Sequence, residues 1–249
     1  MGNTKTNDML RIVHVSDQHG MIPSRNAFRN LLEIADLVVL SGDIFPYSTR
    51  GIRSIEETFQ TEWMFGRVIH PVNTKHHART TPLELWLEFL GELPVLVVGG
   101  NHDYVDFAKL IKDFRGENLL THNLTTEGPI ELFGLKFAGI AEIPWIDGEW
   151  NNETVPTDLR HATYDLFDQN PDVIVSHSPP AGILAGPYGS EPLTNCLSYR
   201  DHNVKAVLFG HVHEDGGKII EESFGEDDSQ TIIFSNAACH VNSVKIKNS

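Results

Sequence analysis

Five short apolar runs in this sequence each end in residues able to hold a metal ion. Residues 10–15 lead into Ser16-Asp17-Gln18-His19, and 37–40 into Ser41-Gly42-Asp43. Residues 95–98 lead into Gly99-Gly100-Asn101-His102-Asp103, and 173–175 into Ser176-His177-Ser178-Pro179-Pro180. Residues 206–209 lead into Gly210-His211-Val212-His213. Together these ends offer two carboxylates, an amide and several imidazoles. A mixed oxygen and nitrogen set suits Mn, Fe, Zn or a similar divalent ion, and the motifs contain no thiolate. In extended chain, residues two apart point to the same side. Asp17 with His19, and His211 with His213, can therefore serve one ion or two adjacent ones. Gly42, Gly100 and Gly210 let the backbone turn tightly where ligands crowd.

The elements that must position these residues follow from the pattern between them. Each run is of strand length and rich in Val, Ile and Leu, as a strand buried on both faces is. A sixth such run lies at 232–234. Helical patterns separate them. Ser24 can cap a helix through Phe28, Leu31, Leu32 and Ile34. Thr81-Pro82-Leu83-Glu84 combines a capping box with Pro at the first helical position, and Gly91 stops that helix. Ser54-Ile55-Glu56-Glu57 reads as another capping box, ahead of Phe59, Trp63 and Val68. Residues 104–114 place Phe107, Leu110, Ile111 and Phe114 on one stripe, and 157–169 form a further helix closed by Pro171. Residues 130–133 and 135–140 read as a hairpin through Gly134. Strands alternating with helices predict a layered α/β sandwich. In open α/β sheets ligands bind at the C-terminal edge of the strands, so the five polar ends are expected to converge.

Composition narrows the functions available. The 249 residues carry 19 Lys plus Arg against 34 Asp plus Glu, a formal net charge of −15. That balance argues against long duplex nucleic acid and anionic membrane surfaces as partners. No apolar run approaches the ~18 residues of a membrane span, so none is expected. The opening residues MGNTKTNDML lack the apolar core of a secretory signal. Two cysteines, Cys196 and Cys239, suit a reducing compartment, and a cytoplasmic location is expected. A single domain over 1–249 is expected, with an insertion at about 46–80. Residues 214–230 hold seven acids and one Lys and read as a solvated loop.

The five blocks, D-x-H, G-D, G-N-H-D, a lone H and G-H-x-H, resemble in order the calcineurin-like metallophosphoesterase family. They span Asp17 to His213, most of the chain. Ser-His-Ser-Pro-Pro, with no appended capping domain, looks most like the small cyclic-nucleotide-phosphodiesterase-like branch. The resemblance implies a four-layer α/β/β/α sandwich, mixed sheets inside and helices outside, holding two divalent metal ions (Mn, Fe or Zn). It implies that one metal takes Asp17, His19 and His213, and the other Asn101, His177 and His211. By the same resemblance Asp43 would bridge them, being able to offer one carboxylate oxygen to each. A metal-activated hydroxide would attack phosphorus, and His102 would act as general acid on the leaving oxygen. Two carboxylates and two divalent ions would leave the centre formally +2 inside an acidic shell. The expected function is hydrolysis of phosphoesters, with small or cyclic-nucleotide-like phosphodiesters favoured as substrate. The alternatives are a phosphomonoesterase, a nuclease on single-stranded ends, and a non-catalytic binding scaffold.

Some residues stay open to two readings. Asp103 either orients His102 or caps the helix that follows. The 46–80 segment is formally +2. It reads either as a lid, with Tyr47, Trp63 and Phe65 stacking on substrate, or as a surface insertion whose aromatics pack on the core. His14 lies inside the first strand and reads as a satisfied core residue. Cys239-His240 is a weak metal signal, and a structural Cys is the expected reading.

Overall fold

The computed structural model describes residues 9–48, 52–71, 80–224 and 230–248. The chain begins β1 (Met9–Val15), α1 (Arg25–Leu32), β2 (Leu37–Leu40), α2 (Arg53–Met64), α3 (Pro82–Leu90), β3 (Val95–Val97), α4 (Phe107–Arg115) and β4 (Thr121–Asn123). It continues with β5 (Ile130–Leu132), β6 (Leu135–Ile140), β7 (Ile143–Pro144), β8 (Glu153–Thr154), α5 (Pro156–Asp168) and β9 (Val173–Ser176). The remainder is α6 (Glu191–Tyr199), β10 (Ala206–Phe209), β11 (Lys218–Phe224), β12 (Gln230–Asn236) and β13 (Val241–Lys247).

Two sheets result. One has strand order β13-β1-β2-β3-β4 and the other β11-β12-β10-β9-β6-β5. Their apolar runs are buried on both faces because each sheet has a neighbour on each side. In β2, Leu37 and Val39 face the second sheet while Val38 and Leu40 face the helices. In β10, Ala206 and Leu208 face the first sheet while Val207 and Phe209 face the outer helices. The helix side of the first sheet is filled by Leu32 of α1, Trp63 and Met64 of α2, Trp86 and Phe89 of α3, and Ile111 of α4. Leu166 and Phe167 of α5 and Leu193 and Leu197 of α6 cover the second sheet. Each such side chain contributes roughly 1.5–3 kcal/mol by burial. The result is the expected α/β/β/α sandwich.

Several local expectations need correction. Ser24 precedes α1 without a side-chain cap bond, because no oxygen of its side chain reaches the first turn. The Ser54 capping box does not form. Helix α2 already starts at Arg53, which leaves Ser54 inside it, and Glu57 accepts from Arg53 Nε instead. The Thr81 box forms in full, with Thr81 Oγ1 accepting from Glu84 N and Glu84 accepting from Thr81 N. Helix α4 starts three residues later than its stripe suggested, at Phe107, and Phe114 remains about half exposed. Residues 214–230 are not simply a loop, since β11 pairs along its length with β12 as an edge strand. The 46–80 segment packs Trp63 into the core, while 49–51 and 72–79 lie outside the described residues. No described helix is long and apolar enough to cross a membrane.

Candidate metal centre

Parallel pairing aligns the strand ends. Val15 of β1 pairs with Leu40 of β2, and Leu40 with Val97 of β3. Val175 of β9 pairs with Leu208 of β10. Asp17, Asp43 and Asn101 therefore leave one sheet, and His177 and His211 the other, at a shared edge. All seven expected donors meet there.

Asp17, His19 and His213 form one group. His213 Nε2 lies 3.2 Å from Asp17 Oδ1, and His19 Nε2 lies 3.4 Å from His213 Nε2 and 3.9 Å from Asp17 Oδ1. Asn101, His177 and His211 form the other. Asn101 Oδ1 lies 3.0 Å from both His177 Nε2 and His211 Nδ1. Asp43 stands between them, its Oδ2 3.3 Å from His177 Nε2 and 3.8 Å from His19 Nε2. Its Oδ1 is occupied otherwise, accepting from His102 N at 2.7 Å. One Asp43 oxygen thus faces both groups, in place of the expected one oxygen for each. Asp17 is held the same way. Its Oδ2 accepts from Ser16 Oγ and His211 N, which leaves Oδ1 toward the cluster.

The donor set fits divalent ions. His177 Nδ1 donates to the Ser41 carbonyl at 2.8 Å, which fixes the ring and turns Nε2 toward Asp43 and Asn101. Ligating histidines characteristically spend their second nitrogen in this way. Three donor atoms lie close enough together for one ion in Asp17, His19 and His213, and again in Asp17, Asp43 and His177. The buried carboxylates also demand positive charge. Burial alone would raise Asp43, but His177, His102 and His19 hold it well below the usual carboxylate value. Burial would likewise lower His177, yet Asp43 and Asp17 push it up to about 10. The Asp17 hydrogen bond pushes His213 up to about 10. His211 has no such carboxylate bond, and burial together with His177 lowers it to about 4.

Glycines make room for this. A Cβ at Gly100 would overlap Asp43 Oδ1, and one at Gly210 would overlap Asp17 Oδ2. Only Gly42, at φ +102, uses glycine's conformational freedom as the sequence suggested.

His102 borders the cluster, with Nε2 3.8 Å from Asp43 Oδ2. Its ring stacks on Tyr47 (centroids 4.4 Å apart, planes at 23°) and meets the edge of Trp150 at 4.4 Å. Its Nδ1 is buried without a hydrogen-bond partner, as is that of His19. Burial lowers the His102 pKa, opposed by Asp43. A cavity of about 650 Å³ opens beside it, lined also by Tyr47, His70, Ile146, Trp150, Tyr188 and Glu214.

Asp103 does neither of the two things expected. Its Oδ1 accepts from Phe45 N and its Oδ2 from Gly100 N, both at 3.0 Å, so it pins the turn after β2 to the turn after β3. Asp106 caps α4 instead. Asn151 and Asn152 also hold the second turn, through Asp103 O and Gly100 O. Trp63 and Phe65 pack with the core and do not face the cavity, so of the three expected stacking aromatics only Tyr47 is there. His14 is a satisfied core residue, bonded to Ser235 and Ser41. Cys239 is a free, partly buried thiol. Trp150 and the Asn pair were not legible as site residues, since they act on other residues and carry no spacing of their own.

Stacked sheets that present carboxylates, an amide and imidazoles along one shared edge define a protein of the metallophosphoesterase class. The family model for calcineurin-like phosphoesterases matches residues 10–215, and the chain belongs to that family. A solved structure of TT1561 from Thermus thermophilus is 15% identical, covering 95% of this chain and 98% of that one at a TM-score of 0.52. A second solved structure is 15% identical, covering 92% of this chain and 90% of its own at a TM-score of 0.54. Identity this low shows the shared fold alone. No curated protein is significantly similar.

Proposed function

We propose that the protein is a dinuclear metal-dependent phosphoesterase that hydrolyses small phosphodiesters. The observation that carries this reading is the gathering of six donor residues from two sheets around a seventh, Asp43, beside a cavity walled by His102. Asp17, His19 and His213 would hold one ion, and Asn101, His177 and His211 the other, with Asp43 shared. The chemistry such ions supply when bound is neutralisation of phosphoryl oxygens and acidification of a water to a nucleophile near neutral pH. Mn is the first choice for assay.

His102 provides the proton. Its Nε2 sits at the edge of the donor cluster, where a leaving oxygen would emerge. Burial favours the neutral ring, while Asp43 and the negative charge of a bound phosphodiester favour the imidazolium. The proton passes from Nε2 to the leaving oxygen as the P–O bond breaks, and is recovered from solvent. General acid help of this kind is typically worth ~10²–10⁴-fold.

Two features favour a diester over a monoester. Tyr47, Ile146, Trp150 and Tyr188 offer apolar surface for a second ester substituent. Glu214 adds negative charge to the cavity wall, which disfavours a dianionic monoester. The formal charge of −15 further disfavours long polyanions. The test compares bis-p-nitrophenyl phosphate with p-nitrophenyl phosphate on Mn-loaded protein, followed by 2′,3′- and 3′,5′-cyclic nucleotides. A kcat/KM at least about tenfold higher for the diester is expected, equivalent to ~1.4 kcal/mol of transition-state discrimination. The opposite preference would replace this reading with a monoesterase.

A further inference from the structure

Helix α2 lies in the segment that separates Asp43 from Asn101, and it turns a buried polar face toward His102. Glu56 and Gln60 are one helical turn apart, and neither has exposed surface. Polar groups buried this completely must be bonded, and their partners show what they hold. The Gln60 carbonyl accepts from Tyr104 N at 2.9 Å. Its amide nitrogen donates to Pro46 O at 3.1 Å and to His102 O. The Glu56 carboxylate accepts from Ser48 N at 2.8 Å and Ser48 Oγ at 3.4 Å.

These partners fall on two segments. Residues 46–48 carry Tyr47, whose ring stacks on His102. Residues 102–104 carry His102 itself. One helix therefore grips both the backbone of His102 and the aromatic plate that sets its ring plane. A buried carboxamide suits this position because it donates to two carbonyls and accepts from an amide at once. An apolar residue there would leave those three backbone groups unpaired.

We propose that Gln60 and Glu56 are positioning residues that fix the His102 imidazole for proton donation, so that α2 serves the chemistry itself. This rests on the reading of His102 as the proton donor. Misplacing such a group by about 1 Å can cost ~10²-fold in rate, and the loss should appear only where the leaving group needs a proton.

The test is a series of aryl phosphodiesters with leaving phenols of rising pKa, measured on Mn-loaded protein. Metal content and thermal unfolding are followed in parallel. His102→Ala should steepen the fall of log kcat with leaving-group pKa. Gln60→Glu, which turns a carboxylate toward the Pro46 and His102 carbonyls, should steepen it similarly. Its rate should drop about 10²-fold on the poorest leaving group and less than about threefold on p-nitrophenolate, with metal content unchanged. Glu56→Gln, which weakens the hold on Ser48, should show the same split. Should Gln60→Glu fail to fold, Glu56→Gln decides the matter by the same slope. Variants that lower all substrates equally, or none, would overturn the positioning role. An unchanged slope in His102→Ala would overturn the reading of His102 instead.

Discussion

Asp17, His19, Asp43 and His211 all adopt left-handed backbone angles, with φ between +45 and +69. Non-glycine residues held there cost of order 1–3 kcal/mol each, and such strain collects where side chains must be aimed. The sequence showed which residues these are, because type and position after each strand are local facts. Spacing alone left open whether His211 and His213 serve one ion or two adjacent ones, and only the family resemblance divided them. The turn at His211 makes that division, sending His211 to Asn101 and His213 to Asp17. Gly100 and Gly210 were read as tight turns, whereas their role is to leave space for carboxylates from another strand. Gly210→Ala should therefore push Asp17 aside. Metal affinity should fall by more than about tenfold, and stability by ~1–3 kcal/mol, as overpacking commonly costs. Equilibrium dialysis and urea unfolding measure the two effects.

At the scale of elements, strands were the more legible because each is sandwiched and its sequence is apolar without interruption. Helix starts were less so, since a cap is decided by which side chain the tertiary structure needs elsewhere. Ser54 and Glu57 looked like a capping pair, but the helix already starts at Arg53, whose side chain pairs with Glu57. The acids of 214–230 looked like a loop. Edge strand β11 tolerates them because its side chains are largely solvated, and charge on an edge discourages pairing with other chains. Two nearby aspartates separate capping from site support. Asp106 accepts from Lys109 N at the start of α4. Asp106→Ala should cost about 1 kcal/mol of stability and leave metal binding and turnover intact. Asp103→Ala strands the Phe45 and Gly100 amides, so it should cost ~2 kcal/mol or more and lower activity at least about tenfold. Unfolding curves and Mn-dependent rates on both variants check the contrast.

Across the whole molecule, the two large sheets share an apolar interior, and the buried imidazole of His14 crosses it. His14 of β1 bonds Ser235 of β12 at 2.9 Å and Ser41 at 2.8 Å. Burial, opposed by Asp17, lowers its pKa from 6.5 to about 3. The unfolded chain takes a proton below the ordinary value while the folded chain does not. This contribution is complete above about pH 6.5 and is lost as pH falls toward 3, at ~1.4 kcal/mol per pH unit. The stability gap between wild type and His14→Phe should accordingly narrow by about 2 kcal/mol between pH 7 and pH 5, read from urea unfolding. A gap independent of pH would mean that His14 takes up its proton as readily in the fold as in the unfolded chain. The net charge of −15 likewise takes on a location. Asp17 and Asp43 are buried at the shared edge of the sheets and call for cations there, while acids such as Glu221 and Glu222 are spread on the surface. The most direct test measures bound metal and bis-p-nitrophenyl phosphate hydrolysis on the same protein, before and after chelation. About two divalent ions per chain are expected, with a rate lost as they leave and restored by Mn. Undiminished hydrolysis by protein that holds no ion would contradict a metal-dependent phosphoesterase.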